Sequence, residues 1–235
     1  MTENNFLSRA EILIGAEGLA RLAAASVIVI GVGGVGSHAA EALARAGVGR
    51  LILIDGDVID VTNINRQAHA LHSSVGRAKA EAMRERIADI NPSCDVSAKR
   101  LMVTAGNAAE IYDAETKIDF IVDAIDCVAA KLAVIKEAQD RNIKIISAMG
   151  AANRLRPEAL KIADIYETSV CPLARVIRRE LKKRGSPGLT CCYSTEPPVK
   201  TDTPGALGSV SFVPPVSGYL MAGYIVREMI GWARK

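Results

Sequence analysis

The sequence predicts an α/β fold: a Rossmann-like, mostly parallel, doubly wound sheet with an added antiparallel C-terminal part. Three observations predict it. Residues 27–57 read VIVIGVGGVGSHAAEALARAGVGRLILIDGD, which is strand, glycine turn, helix and second strand. Strand-like and helix-like segments then alternate along the chain. The composition is 49% apolar and only 4% aromatic, which suits a full core of Ala, Val, Ile and Leu and excludes disorder. A length of 235 residues fits a single domain over 1–235.

Each element follows from local pattern. Asn5 to Ala25 reads as two short helices separated by Gly15, with Arg9 on the first. Val27 to Ile30 is a β-branched run of the kind that parallel strands bury on both faces. Ser37 to Ala46 is helix-forming, and Leu51 to Ile54 is a second apolar strand. The segment 62–67, TNINRQ, is too polar for a core element and reads as a loop at the carboxyl end of the sheet. Gly76 to Asn91 is an amphipathic helix with Lys79 in its first turn, where a cation opposes the helix macrodipole unless an anion offsets it. Strands are expected at 94–99, 118–122 and 143–147, with helices at 107–113 and 131–140 between them. Beyond Gly150 the pattern changes. A strand at 160–165, a basic helix at 172–184, strands at 188–194 and 209–213, and an apolar helix at 216–230 are expected. Residues 196–208 hold Pro197, Pro198, Pro204 and Gly205 and read as a loop.

Gly31, Gly33 and Gly36 fit G-x-G-x-x-G, with Gly34 beside them. Such glycines let backbone N–H groups approach a phosphate, and the helix N-terminus adds positive potential. Asp55 follows Gly36 by 19 residues, at the end of the second strand, where a carboxylate can accept ribose hydroxyls. A dinucleotide needs modest neutralisation, whereas a triphosphate needs cationic side chains and Mg²⁺ held by a carboxylate. Arg66, Lys79 and Asp126 supply that set, so ATP is preferred over NAD. There is no Walker A loop, so P-loop phosphoryl transfer is not indicated.

Composition narrows the partners. The net charge of +3 permits a polyanion without demanding one, so a basic patch must be local. Arg175, Arg178, Arg179 and Lys182 share one face of the basic helix and form the candidate contact for a phosphate backbone. The five cysteines form no C-x-x-C pair, which argues against zinc and for a reducing, cytoplasmic setting. Cys127 is expected to be buried and inert, and Cys171 to sit at an ordinary helix start before Pro172. Glu3, Arg9 and Glu11 interrupt any signal-peptide core. Residues 203–226 are uncharged but broken by prolines, so no stable membrane insertion is expected.

GVGGVGS at 31–37, LIDGD at 53–57, TNINRQ at 62–67, Lys79 and DAID at 123–126 together resemble the E1-like adenylating superfamily. Within it, NRQAHAL at 65–71, VGRAKAE at 75–81, CPLARVIRRELKKRG at 171–185 and YSTE at 193–196 are similar to the tRNA threonylcarbamoyladenosine dehydratase family. The resemblance implies an E1-type fold, a nucleotide-binding core over 1–150, and a substrate-binding and dimerisation part over 151–235. It implies ATP-dependent adenylation of the N6-threonylcarbamoyl carboxylate in tRNA, then closure to a cyclic hydantoin. It places Asp55 on the ribose, with Asp57 and Gln67 beside the nucleotide. Asn65, Arg66 and Lys79 fall on the triphosphate, Asp126 on Mg²⁺, and Arg9 on the ATP of a neighbouring subunit in a homodimer. An activator of a ubiquitin-like sulfur-carrier protein shares the first half-reaction and is the alternative. A nicotinamide-dependent oxidoreductase or a nucleotide sensor comes third. The sequence is also compatible with a sulfur- or electron-transfer partner protein.

Overall fold

The computed structural model describes residues 5–112, 117–203 and 207–232. Glu3, Asp113, Pro204 and Gly205, used in the sequence reading, lie outside the described residues. The elements are α1 (Ser8–Ala23), β1 (Ser26–Ile30), α2 (Gly36–Arg45), β2 (Arg50–Ile54), α3 (Lys79–Ile90), β3 (Asp95–Lys99), β4 (Phe120–Asp123), α4 (Val128–Asp140), β5 (Lys144–Ala148), β6 (Leu160–Asp164), α5 (Pro172–Lys183), β7 (Thr190–Ser194) and α6 (Val213–Ile230).

The seven strands form one sheet in the order β3-β2-β1-β4-β5-β7-β6. Pairing is parallel except for β6, which runs antiparallel to β7. Alternation along each strand sends side chains to opposite faces. Val27, Val29, Leu51 and Leu53 pack with Leu43 of α2, Met83 of α3 and Met221 of α6. Ile28, Ile30, Ile52, Ile54 and Ile121 pack on the other face with Ala130 and Val134 of α4. Both faces are covered, so β1 is buried along its whole length, as its unbroken apolar run predicts.

The chain leaves β1 toward β2 and β3, then returns on the other side of β1 to β4. That reversal opens a crevice at the carboxyl ends of β1 and β4, where open α/β sheets bind ligands.

Three departures from the sequence reading have local causes. The expected strand at 209–213 is absent: Val213 opens α6, and Pro214 and Pro215 occupy its first turn, where proline needs no N–H partner. The expected helix at 107–113 is a single 3₁₀ turn, Ala108–Ile111. Cys127 is exposed rather than buried, because it sits before α4 at the open end of β4 instead of inside the sheet. Gly15 (φ 73°) kinks α1 where two helices are expected.

Candidate nucleotide-binding site

The crevice holds a cavity of about 730 Å³ lined by the loops after β1, β2, β4 and β5. Its floor is the glycine turn. Gly31 N donates to Ile54 O at 2.8 Å, which ties the start of the turn to β2. A Cβ on Gly36 would overlap Gly31 O, so this position accepts only glycine. Gly33, Gly34 and Val35 face the cavity just before α2, so the helix N-terminus points into the cavity, an arrangement suited to an anion. From behind, Gly218 of α6 lies so close to Val35 O that a Cβ there would also collide. The C-terminal helix therefore backs the turn.

Asp55 braces the turn as well as facing the cavity. Its Oδ2 accepts from Val32 N at 2.7 Å and its Oδ1 from Asp57 N at 2.9 Å. Each oxygen keeps a second lone pair for a ligand hydroxyl. His69, buried, donates from Nε2 to Val32 O at 2.7 Å. A carbonyl partner fixes that tautomer and leaves Nδ1 bare. Burial holds the His69 pKa below its ordinary value, outweighing the Val32 bond and the nearby Asp55.

Lys79 opens α3 and is buried, with Nζ 2.8 Å from Asp57 Oδ2. Asp57 therefore supplies the anion that a lysine at a helix N-terminus needs, a role the sequence reading left to a bound ligand. Arg66 arches over Gly34, with Nη1 donating to Thr62 O at 3.1 Å and Asn65 Oδ1 at 2.8 Å. Asn65 in turn donates to Ser209 O at 3.0 Å, joining this loop to the segment before α6. Gln67 is buried beside Gly33, and its Oε1 has no partner among the described residues.

Asp126 is exposed and lines the cavity. Its neighbour Asp123 does not reach the cavity. It is fully buried against Lys131 Nζ at 2.7 Å, and that ammonium also donates to Ser147 Oγ and Ala148 O, each at 3.1 Å. The sequence reading missed Lys131. The one signal was a lone lysine inside the apolar run VAAKLAVI at 128–135.

The cavity thus gathers Gly31, Gly33, Gly34, Asp55, Asp57, Arg66, Gln67, Lys79 and Asp126. Asn65 stands behind it and Arg9 stands exposed on α1, away from it. Arg175, Arg178, Arg179 and Lys182 line a separate groove with Tyr166, about 660 Å³ in volume. Arg178 is tied to Thr168, through O at 2.7 Å and Oγ1 at 2.6 Å, and Arg179 to Glu180 at 3.2 Å. Arg175 and Lys182 have no ion-pair partner among the described residues. Burial pushes the Cys94 and Cys192 thiols up to about 11 and Cys191 to about 12, so none of these is a thiolate nucleophile.

Fold and crevice together define an α/β nucleotide-binding protein whose phosphate loop is of the Rossmann kind and not Walker A. Comparison with known proteins narrows this. The ThiF family matches residues 7–235. The chain is 42% identical to tRNA threonylcarbamoyladenosine dehydratase of Bacillus subtilis, over 95% of this chain and 94% of that protein. It is 34% identical to the dehydratase of that name from Escherichia coli, over 95% and 92%. The crystal structure of the E. coli enzyme in complex with ATP superposes with a TM-score of 0.88 at 37% identity, covering 96% of this chain and 93% of that one. The chain belongs to the ThiF family and, within it, to the tRNA threonylcarbamoyladenosine dehydratases. No described helix is long and apolar enough to cross a membrane.

Proposed function

We propose that this protein cyclises N6-threonylcarbamoyladenosine in tRNA at the expense of ATP. The observation that carries the reading is the near-full-length match to dehydratases, one of them solved with ATP and with AMP. A carboxylate is a poor electrophile. Its oxygen attacks the α-phosphorus of ATP and pyrophosphate leaves. The carbamoyl nitrogen then attacks the acyl-adenylate carbonyl, AMP leaves with the carboxylate oxygen, and a proton is released. The net change in the nucleoside is loss of one water. Ring closure is intramolecular, so proximity lowers its barrier.

In this reading Arg66 and Lys79 stabilise charge developing on the α-phosphate and the departing pyrophosphate. Asp55 receives the ribose, and the N–H groups from Gly31 to Gly36 receive phosphate oxygens. Asn65 and Gln67 hold the loop that carries Arg66. Asp126 faces the cavity with no cation paired to it among the described residues, which fits a Mg²⁺ held by one carboxylate, phosphate oxygens and water. When bound, Mg²⁺ would neutralise phosphate charge. Asp57, already paired with Lys79, supports it. The groove of Arg175, Arg178, Arg179 and Lys182 supports tRNA binding, with Arg175 and Lys182 as the freest cations. Residues 1–150 serve the nucleotide and 151–235 the substrate and the dimer. The exposed Ile12 and Leu13 of α1, 85% and 86% accessible, would add to that dimer surface and carry Arg9 to the partner's ATP. Free cysteines are consistent with a cytoplasmic setting.

Activation of a sulfur-carrier protein is not favoured. The match to an adenylyltransferase and sulfurtransferase of Culex quinquefasciatus covers 50% of this chain and 26% of that protein. The deciding experiment incubates the protein with ATP, Mg²⁺ and tRNA bearing threonylcarbamoyladenosine. Nucleoside mass spectrometry should show ATP-dependent loss of one water with matching AMP. ATP binding without that loss would refute the dehydratase reading.

A further inference from the structure

Arg154 is the one buried cation of the cavity wall that the proposed mechanism leaves unused. It is 3% exposed, and it lines the cavity on the segment that follows β5. No carboxylate lies within ion-pair distance of it among the described residues. Its Nε is buried without a hydrogen-bond partner among the described residues, and its Nη1 makes one long bond, 3.4 Å to Asn153 O. An arginine is charged at any physiological pH, and a buried charge without a counter-ion is costly. Such a group is retained where a ligand brings the missing anion.

The surrounding backbone is built to hold it. Asn153 adopts φ 55° and clasps the loop ahead of α6. Its N donates to Gly208 O at 2.8 Å, its Oδ1 accepts from Gly208 N at 2.6 Å, and its O accepts from Val199 N at 2.8 Å. Glu196, the nearest acid on that loop, is spent on the backbone N–H groups of Leu155 and Arg156. The backbone on both sides of Arg154 is thus held at the wall, while its guanidinium makes one long bond and leaves Nε without a partner.

Its place in the sheet says which anion. The ribose-facing Asp55 ends β2, and β5 lies three strands away in the order β2-β1-β4-β5, about 14 Å at the usual strand spacing. Arg66 and Lys79 already serve the phosphates on the β1–β2 side. The β5 wall, lined by Ala148 to Arg154, is the part of the cavity left for the acyl substrate once the nucleotide occupies the β1–β2 side. We propose that Arg154 is the positioning residue that binds the substrate carboxylate and presents it to the α-phosphorus of ATP. This rests on the dehydratase reading above. A guanidinium here would offset repulsion between two anions brought together, and one bound oxygen leaves the other free to attack.

The test compares tRNA bearing threonylcarbamoyladenosine with the same tRNA whose carboxylate is capped as the methyl ester. Binding is measured to the full-length protein with a non-hydrolysable ATP analogue present. The wild type should prefer the acid by about 10- to 100-fold, the scale of a charge-assisted hydrogen bond. Arg154→Gln should bring that ratio to near one while leaving affinity for the ester and for the ATP analogue within about twofold. Arg154→Lys should keep part of the preference. A wild-type ratio near one overturns the inference. So does a ratio that Arg154→Gln leaves unchanged, with or without a loss of ATP affinity. Failure of the dehydratase reading shows separately, as a wild-type protein that removes no water from the modified tRNA.

Discussion

Replacing Lys131 with methionine should destabilise the protein as few single substitutions can. Lys131 and Asp123 are both fully buried, and the ammonium serves three acceptors: Asp123 Oδ2 at 2.7 Å, Ser147 Oγ at 3.1 Å and Ala148 O at 3.1 Å. Methionine fills the volume of the stem but leaves a buried carboxylate without its counter-charge. Removing one partner of a buried pair costs about 3–5 kcal/mol. For a chain of this size, at roughly 2–4 °C per kcal/mol, that is a fall in melting temperature of about 6–20 °C. The double variant Lys131→Met with Asp123→Asn removes both charges and keeps an Oδ1 acceptor for Ile125 N, 3.3 Å away. It should recover more than half of the loss. Urea unfolding at constant m measures both variants. A single-variant loss of about 1 kcal/mol or less, the scale of an exposed pair, would refute the reasoning. So would a double variant less stable than the single one. The effect should also reach function, because the Asp123–Ile125 bond orients the turn that presents Asp126 to the cavity.

Gly36→Ala places a methyl on Gly31 O, so ATP affinity should fall at least about tenfold, read by equilibrium binding, and an unchanged affinity would mean the turn relaxes freely. Arg175→Glu with Lys182→Glu should weaken tRNA binding and lower the slope of log K against log salt by about 2, while ATP affinity stays constant. Arg178 is the poorer choice for that test, since its guanidinium anchors Thr168. His69 should make stability fall in mild acid. Its pKa is lowered in the fold by burial, so the unfolded chain takes up a proton as pH drops through about 6.5 while the folded chain does not. Stability from this group is therefore full above that pH and declines below it, with a slope approaching about 1.4 kcal/mol per unit. His69→Gln should reduce the decline in urea melts between pH 7 and pH 5 by about half, since burial also lowers the pKa of His38. The limb below is set by carboxylates such as Glu41, where the cost of burial is outweighed by bonds to Arg86 and Arg45.

The βαβ stretch is legible in the sequence because its constraints are local. A strand buried on both faces must be an unbroken apolar run, and a turn that brings Gly36 against Gly31 O must lack a side chain. Asp55 is legible for the same reason, since its carboxylate closes hydrogen bonds on the turn it follows. The misread segment at 209–213 shows where local pattern stops. SVSFV is β-branched and aromatic enough for a strand, and only the prolines after it decide that the chain is entering a helix.

The buried charges were beyond local pattern altogether. Lys79 reads as a lysine awaiting an anion because Asp57, its partner, stands 22 residues earlier and meets it only when α3 docks under β2. Lys131 reads as an ordinary helix lysine because nothing near it in the chain says that Asp123 and Ser147 are cross-strand neighbours. The β4–β5 register pairs them, and α4 lowers the ammonium between them. Arg154 follows the same logic one step further. Its charge is balanced neither by its neighbours in sequence nor by any described neighbour in space, so within this fold its counter-ion has to arrive with the substrate.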